Sequence, residues 1–78
     1  MQAALRKSSQ LVVCVRNDGY PASLELRKIY VAPRDAAAEK RGLLRVVDES
    51  GEGYLYPRTF FRPIALPQPV RRAVLAAA

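Results

Sequence analysis

The stretch Leu43–Pro63, LLRVVDESGEGYLYPRTFFRP, leaves the chain few ways to fold. Leu43 to Asp48 is rich in aliphatic and β-branched side chains and reads as a strand. Glu49-Ser50-Gly51-Glu52 follows as a hairpin turn, in which Gly51 meets no steric penalty at positive φ. Gly53 to Tyr56 is the returning strand. Side chains alternate across a strand, so Leu55 faces one side and Tyr54 and Tyr56 the other. Pro57-Arg58-Thr59 reads as a short 3₁₀ turn that brings Phe60 or Phe61 back into a core. An isolated hairpin is only marginally stable, so the other segments must supply its partners.

The first partner is Leu11-Val12-Val13-Cys14-Val15, short and β-branched enough for a core strand. Asn17-Asp18-Gly19 stops it, and Tyr20-Pro21 forces an extended or turn conformation. Ser23-Leu24-Glu25-Leu26 alternates with both leucines on one face. Ile29 and Val31 also share a face, but with the opposite parity, so the phase slips at Arg27-Lys28. That slip predicts a tight turn or bulge between two short strands, the second of them Lys28 to Ala32. Pro33 to Gly42 has helical character, with Asp35 as N-cap and Gly42 just past the C-terminus. One or two helical turns over 35–41 and an insertion loop both fit. Pro63 to Leu66 reads as a last short edge strand, where proline does least damage. In the tail, Pro69 suits the first turn of a helix over 69–77. Val70 and Val74 fall on one face of it, and Arg71 and Arg72 on another. The organisation expected is a frayed arm over residues 1–10, one domain over 11–66 and a helical tail over 67–78.

Seventy-eight residues allow one domain, near the lower size for a self-sufficient core. With no Trp, that core must come from Leu, Val, Ile, Phe and Tyr. A single cysteine excludes an intramolecular disulfide framework. No apolar run approaches the ~20 residues that span a bilayer, and the N-terminus lacks the apolar segment of a signal peptide. The expectation is therefore a reducing cytoplasm and no membrane contact. The net charge of +6 attracts polyanions at low salt, although charge excess equally serves solubility.

The order of features resembles an SH3-like small barrel. Leu24-Glu25-Leu26-Arg27-Lys28 is similar to that fold's Leu-x-Phe-basic-basic strand and diverging turn. Gly51-Glu52-Gly53-Tyr54-Leu55-Tyr56-Pro57-Arg58-Thr59-Phe60-Phe61 is similar to its closing Gly-Tyr-aliphatic-Pro-x-x-Tyr-Val segment. The chain also resembles a group of small bacterial and phage-type proteins of unassigned activity. That pattern matches Cys14, Asn17, Gly19, Leu24, Lys28-Ile29-Tyr30, Arg45-Val46-Val47-Asp48-Glu49-Ser50-Gly51-Glu52, Tyr54-Leu55-Tyr56-Pro57 and Phe61, over roughly residues 12–66. The resemblance implies a mainly-β, SH3-like barrel of about five short strands and carries no activity with it. The specificity-setting Trp of peptide-binding SH3 domains is missing, as is an acidic cluster before the diverging turn. Recognition of Pro-rich ligands needs an aromatic-lined groove, so the departures count against that role.

Chemistry is constrained mainly by what is missing. Without histidine there is no imidazole general base, no Ser-His or Cys-His pair and few routes to a zinc site. Cys14 sits in an apolar run and reads as a buried small hydrophobe. Asp48, Glu49 and Glu52 read as turn residues, since calcium loops need a longer array of oxygen ligands. Gly51-x-Gly53 is too short for a phosphate loop. No cofactor or metal is expected.

What remains is binding by a non-enzymatic protein-interaction or accessory module, with an enzyme as the most distant alternative. The module's expected face is Tyr20, Tyr30, Tyr54 and Tyr56, with Arg45 and Arg58 at the rim, residue types enriched at interface hot spots. The alternative is a nucleic-acid-binding barrel, in which Arg27, Lys28, Arg45, Arg58 and Arg62 meet phosphates and the tyrosines stack on bases. Asp48, Glu49 and Glu52 interrupt that positive field. The Val70/Val74 stripe leaves monomer and weak homodimer open.

Overall fold

The computed structural model describes residues 9–48 and 50–77. Residues 1–8 of the arm expected over 1–10, the turn residue Glu49 and the terminal Ala78 lie outside them. The chain is mainly β, as the sequence predicts. It has five antiparallel strands in one sheet, a short internal helix, a 3₁₀ turn and a C-terminal helix. The strands are β1 (Ser9–Cys14), β2 (Ile29–Pro33), β3 (Leu43–Val47), β4 (Gly53–Pro57) and β5 (Phe61–Pro63). Helix α1 (Ala36–Lys40) joins β2 to β3, the 3₁₀ turn Arg58–Phe60 joins β4 to β5, and α2 (Gln68–Ala76) follows.

The hydrogen-bonded order is β4-β3-β2-β1-β5. β4 and β5 therefore stand at opposite ends of the sheet, yet only the three residues of the 3₁₀ turn separate them. The sheet must curl until its ends meet. They do so through Tyr56 of β4 and Phe61 of β5, whose ring centroids lie 6.2 Å apart. Inside the curl, Val12, Cys14, Tyr30, Ala32, Leu44, Val46, Tyr56 and Phe61 form one core with Leu24 and Phe60 from the connections. Pairings such as Val12↔Tyr30 and Leu44↔Tyr56 set the register that places these side chains on one face.

The outer face carries Ile29, Val31 and Val47. Val74 and Ala77 approach these residues across a gap of about 270 Å³. Arg71 Nη2 ties α2 to the start of β1 by donating to the Ser9 carbonyl at 2.9 Å. Neither helix is long and apolar enough to cross a membrane.

The sequence expectations need three corrections. First, Ser23–Leu26 is a turn and not a strand. The Ser23 and Leu24 N–H groups both donate to the Tyr20 carbonyl, and the Asn17 amide donates to the Leu24 carbonyl. Backbone groups spent locally have no ladder to join. Leu24 is buried, whereas Leu26 is exposed. The predicted phase slip is real: Arg27 takes a left-handed φ of 67°. Second, the last strand is Phe61–Pro63, earlier than Pro63–Leu66, because it starts as soon as the 3₁₀ turn ends. Third, β1 begins at Ser9, whose pairing with Pro33 takes residues 9 and 10 out of the arm.

Around α1 the reading holds. Asp35 Oδ1 accepts from the Ala38 N–H at 3.1 Å, and Gly42 has a φ of 76° just past the helix.

Candidate functional site

The four tyrosines divide into two that are exposed, Tyr20 and Tyr54, and two that are buried, Tyr30 and Tyr56. Tyr20 is 39% exposed, and its place in the loop after β1 is fixed locally. Gly19, at φ 84°, allows a tight turn in which the Tyr20 N–H donates to the Asn17 carbonyl at 2.8 Å. The Tyr20 ring stands edge-on to Tyr56 (5.1 Å, 88°) and to Phe60 (6.1 Å, 70°). Arg16 lies over the Phe60 ring at 5.3 Å and pairs with Asp18 at 2.9 Å, an arrangement that holds Asp18 below the usual carboxylate range. Tyr54 is 45% exposed and lies two residues before Tyr56 on the same face of β4. Its hydroxyl donates to Glu52 Oε1 at 2.8 Å, and that bond to a carboxylate pushes its pKa up. The exposed strip therefore runs from Tyr20, which rests on Tyr56 and Phe60, to Tyr54, two residues before Tyr56 along β4.

Tyr30 and Tyr56 are core residues, which corrects their expected place on the exposed face. Tyr30 is directly across the ladder from Val12, and its ring meets Phe61 edge-on at 6.2 Å. Burial costs it little because its hydroxyl accepts the Glu25 N–H at 2.9 Å. Burial also pushes its pKa up. Tyr56 is enclosed between Tyr20 and Phe61.

Arg45 is not at the rim of this strip. It projects from the other face of β3, where Nε donates to Asp35 Oδ2 at 2.8 Å. Asp35 thus caps α1 with one carboxylate oxygen and binds Arg45 with the other, and its pKa is lowered chiefly by Arg45. The Arg45 stem packs along the Gly53 backbone, where a Cβ would meet it at an ordinary contact distance of 3.4 Å from Cγ.

Arg58 belongs to a different feature, a cleft of about 340 Å³ at one end of the curled sheet. Val12, Leu44 and Phe61 line its apolar part, and Arg34, Arg58, Arg62 and Glu39 its charged part. Arg34 Nε and Nη2 clasp the Glu39 carboxylate at 3.1 and 2.8 Å, which holds Glu39 well ionised. Arg62 Nη1 donates to the Thr59 and Phe61 carbonyls at 3.2 and 3.0 Å. The Arg58 backbone N–H donates to the Gly42 carbonyl, which anchors the turn, while its guanidinium donates no hydrogen bond among the described residues.

The six residues expected on one face are therefore dispersed: Tyr20 and Tyr54 are exposed, Tyr30 and Tyr56 lie in the core with Tyr56 under Tyr20, Arg45 is on the outer face, and Arg58 is in the cleft. Sequence reading missed Arg16 and Phe60 as parts of the strip, and Arg34 and Glu39 as parts of the cleft. The Arg16-x-Asp18 spacing was a usable signal for the first pair. Nothing in the spacing of Arg34 and Glu39 points across the molecule to Arg58.

Cys14 is fully buried, its Sγ lies 3.2 Å from the Arg16 carbonyl oxygen, and burial pushes its thiol pKa up. A thiol so placed is an inert core group. No protein-family model, curated protein or solved structure matches the chain.

Proposed function

We propose that the chain is a non-enzymatic interaction module that holds a short extended segment of a partner protein against Tyr20 and Tyr54. One observation carries this reading: Tyr20 is exposed yet packed edge-on against two rings, with its backbone N–H bonded within its own loop. A side chain already ordered in the free protein loses little entropy on binding, and such aromatic anchors dominate interface energies. The five antiparallel strands, the turn at Arg27 and the 3₁₀ turn between the last two strands support the SH3-like barrel that the sequence resembles.

The local charge favours a protein segment over nucleic acid. A nucleic-acid platform needs cations beside its stacking rings. Here Asp18 neutralises Arg16, Glu52 bonds Tyr54, and Arg45 is engaged with Asp35 on the other face. The test is to pan a displayed peptide library against the wild-type chain and a Tyr20→Ala/Tyr54→Ala variant. The wild type should enrich a family of peptides that the variant binds at least about tenfold more weakly, with unchanged circular dichroism. No enriched family, or equal binding by the variant, refutes the reading. So does binding only to DNA or RNA that weakens steeply with salt.

A further inference from the structure

We propose that the cleft between Arg34, Arg58 and Arg62 binds a small amphipathic anion, a carboxylate or phosphate head carried on an apolar body. The site shares no residue with the Tyr20–Tyr54 strip, so it stands or falls separately from the peptide-binding reading.

The charge arrangement points to an anion. Three guanidiniums line the cleft against the single carboxylate of Glu39, which leaves positive charge in excess. Arg34 already displays the binding mode, because its two-pronged grip on Glu39 is the geometry by which guanidinium recognises carboxylate and phosphate. That grip leaves its Nη1 unspent. Arg62 is fixed in place by the Thr59 and Phe61 carbonyls through Nη1 alone, leaving Nε and Nη2 as donors. Arg58 donates nothing from its side chain among the described residues, so its five N–H groups remain for a ligand. Two guanidiniums held in place and one left to close on a ligand form a clamp that is largely preorganised.

The floor decides the rest of the ligand. Val12, Leu44 and Phe61 lie buried at the base of the cleft, and exposed Pro63 with the aliphatic stems of the arginines supplies the apolar surface open to a ligand. A bare oxyanion would leave that floor wet, and an apolar molecule would leave the guanidiniums unneutralised. Only a ligand with both parts satisfies both surfaces. The volume, about 340 Å³, is ample for a body the size of one aromatic or aliphatic side chain.

The experiment is an amide chemical-shift titration of the whole chain with 3-phenylpropionate, N-acetylphenylalanine, phenyl phosphate, inorganic phosphate and uncharged 3-phenylpropionamide. At least one of the first three should saturate at a Kd of about 1 mM or tighter, as expected for a ligand of this size, and shift Gln10, Arg34, Thr59 and Arg62. Tighter binding of N-acetylphenylalanine than 3-phenylpropionate identifies a peptide C-terminus as the natural source, and the reverse order a free acid. Preference for phenyl phosphate identifies a phosphate ester. Inorganic phosphate and the amide should bind at least about tenfold more weakly, each lacking one half of the recognition. Arg58→Gln should weaken binding about tenfold and Arg58→Glu further, while Arg45→Gln, away from the cleft, should leave it unchanged. Equal response to inorganic phosphate, equal response to the amide, an Arg58→Gln variant that binds like wild type, or shifts confined to residues outside the cleft would each overturn the proposal.

Discussion

The aromatic strip and the arginine cleft both draw on one continuous run, Gly53 to Pro63, the first completed by Tyr20 and the second by Arg34 and Glu39, and they obey opposite rules. In the strip, exposed Tyr20 rests on buried rings, and the nearby charges are already paired with one another. In the cleft, cations stand over an apolar floor, and one of them donates no side-chain bond among the described residues. The divergence comes from the 3₁₀ turn. With about three residues per turn, consecutive side chains leave in different directions. Phe60 goes beneath Tyr20, Arg58 and Thr59 go to the cleft, and Phe61 enters the core between them. A segment too short to form a helix thus serves two surfaces, and a substitution within it reveals which surface each residue supports.

The sharpest way to break the comparison is to remove the residue common to both halves. Phe61 lines the cleft and also meets Tyr30 and Tyr56, which in turn supports Tyr20. Phe61→Ala should cost about 3–5 kcal/mol, the usual range for truncating a buried aromatic side chain. A chain this small has only about 4–12 kcal/mol in total, so the loss removes a large share of its stability and should lower the urea midpoint steeply. Thr59→Ala, two residues earlier and exposed, should stay within about 0.5 kcal/mol of wild type. Urea denaturation followed by circular dichroism measures both. Equal effects would mean that the two surfaces are not coupled through Phe61.

Acid acts on both regions, but unequally. Asp18 beside the strip and Glu39 in the cleft have folded-state pKa values depressed below their ordinary 3.8 and 4.5, by Arg16 and Arg34 respectively. A depressed carboxylate contributes stability that is fully present above its unfolded pKa and is lost as pH falls through its folded pKa. The melting temperature should therefore be insensitive to these groups at neutral pH and decline as pH drops below 4.5. Glu39→Gln should flatten that decline more than Asp18→Asn, because the Glu39 side chain is 15% exposed and Asp18 is 67% exposed. Added salt should weaken the Asp18 contribution first. A larger effect from Asp18 would reverse the ranking of the two regions.

Most of the fold is legible in the sequence where local and long-range demands agree. β1, β3, β4, α1 and α2 follow from β-branched runs, turn residues and caps that point the same way. Legibility fails at Ser23–Leu26, where an alternating pattern competes with an asparagine seven residues from the carbonyl it binds. Periodicity records which side chains are apolar but does not show where the backbone hydrogen bonds go. The candidate site was half legible for a related reason. Alternation correctly puts Tyr54 and Tyr56 on one face, but parity does not say whether that face is covered. Tyr56 is covered by Tyr20, and Tyr30 by a curl of the sheet set by the length of the β4–β5 link. The cleft lay beyond sequence reading because it joins Arg34 to Arg58 and Arg62 through that same curl.

The smallest effect comes from the two arginines expected to share a rim. Arg45 spends its Nε on Asp35, the residue that also caps α1, so losing it removes one tie between β3 and the helix. Arg58 contributes its backbone N–H to Gly42, which any residue except proline preserves, and no side-chain bond among the described residues. Arg45→Ala should lower the melting temperature slightly at neutral pH, and the deficit should shrink in acid as Asp35 protonates and its partner no longer matters. That sign follows from the depressed pKa of Asp35, since the pair contributes only while the carboxylate is charged. Arg58→Ala should leave the melting temperature nearly unchanged at neutral pH, shift it in acid only through the minor hold of its charge on Glu39, and otherwise alter only anion binding. Thermal melts of both variants at neutral pH and below the ordinary Asp value of 3.8 decide the matter. If Arg58→Ala proves the more destabilising of the two, its guanidinium has a structural partner and is not held in reserve for a ligand.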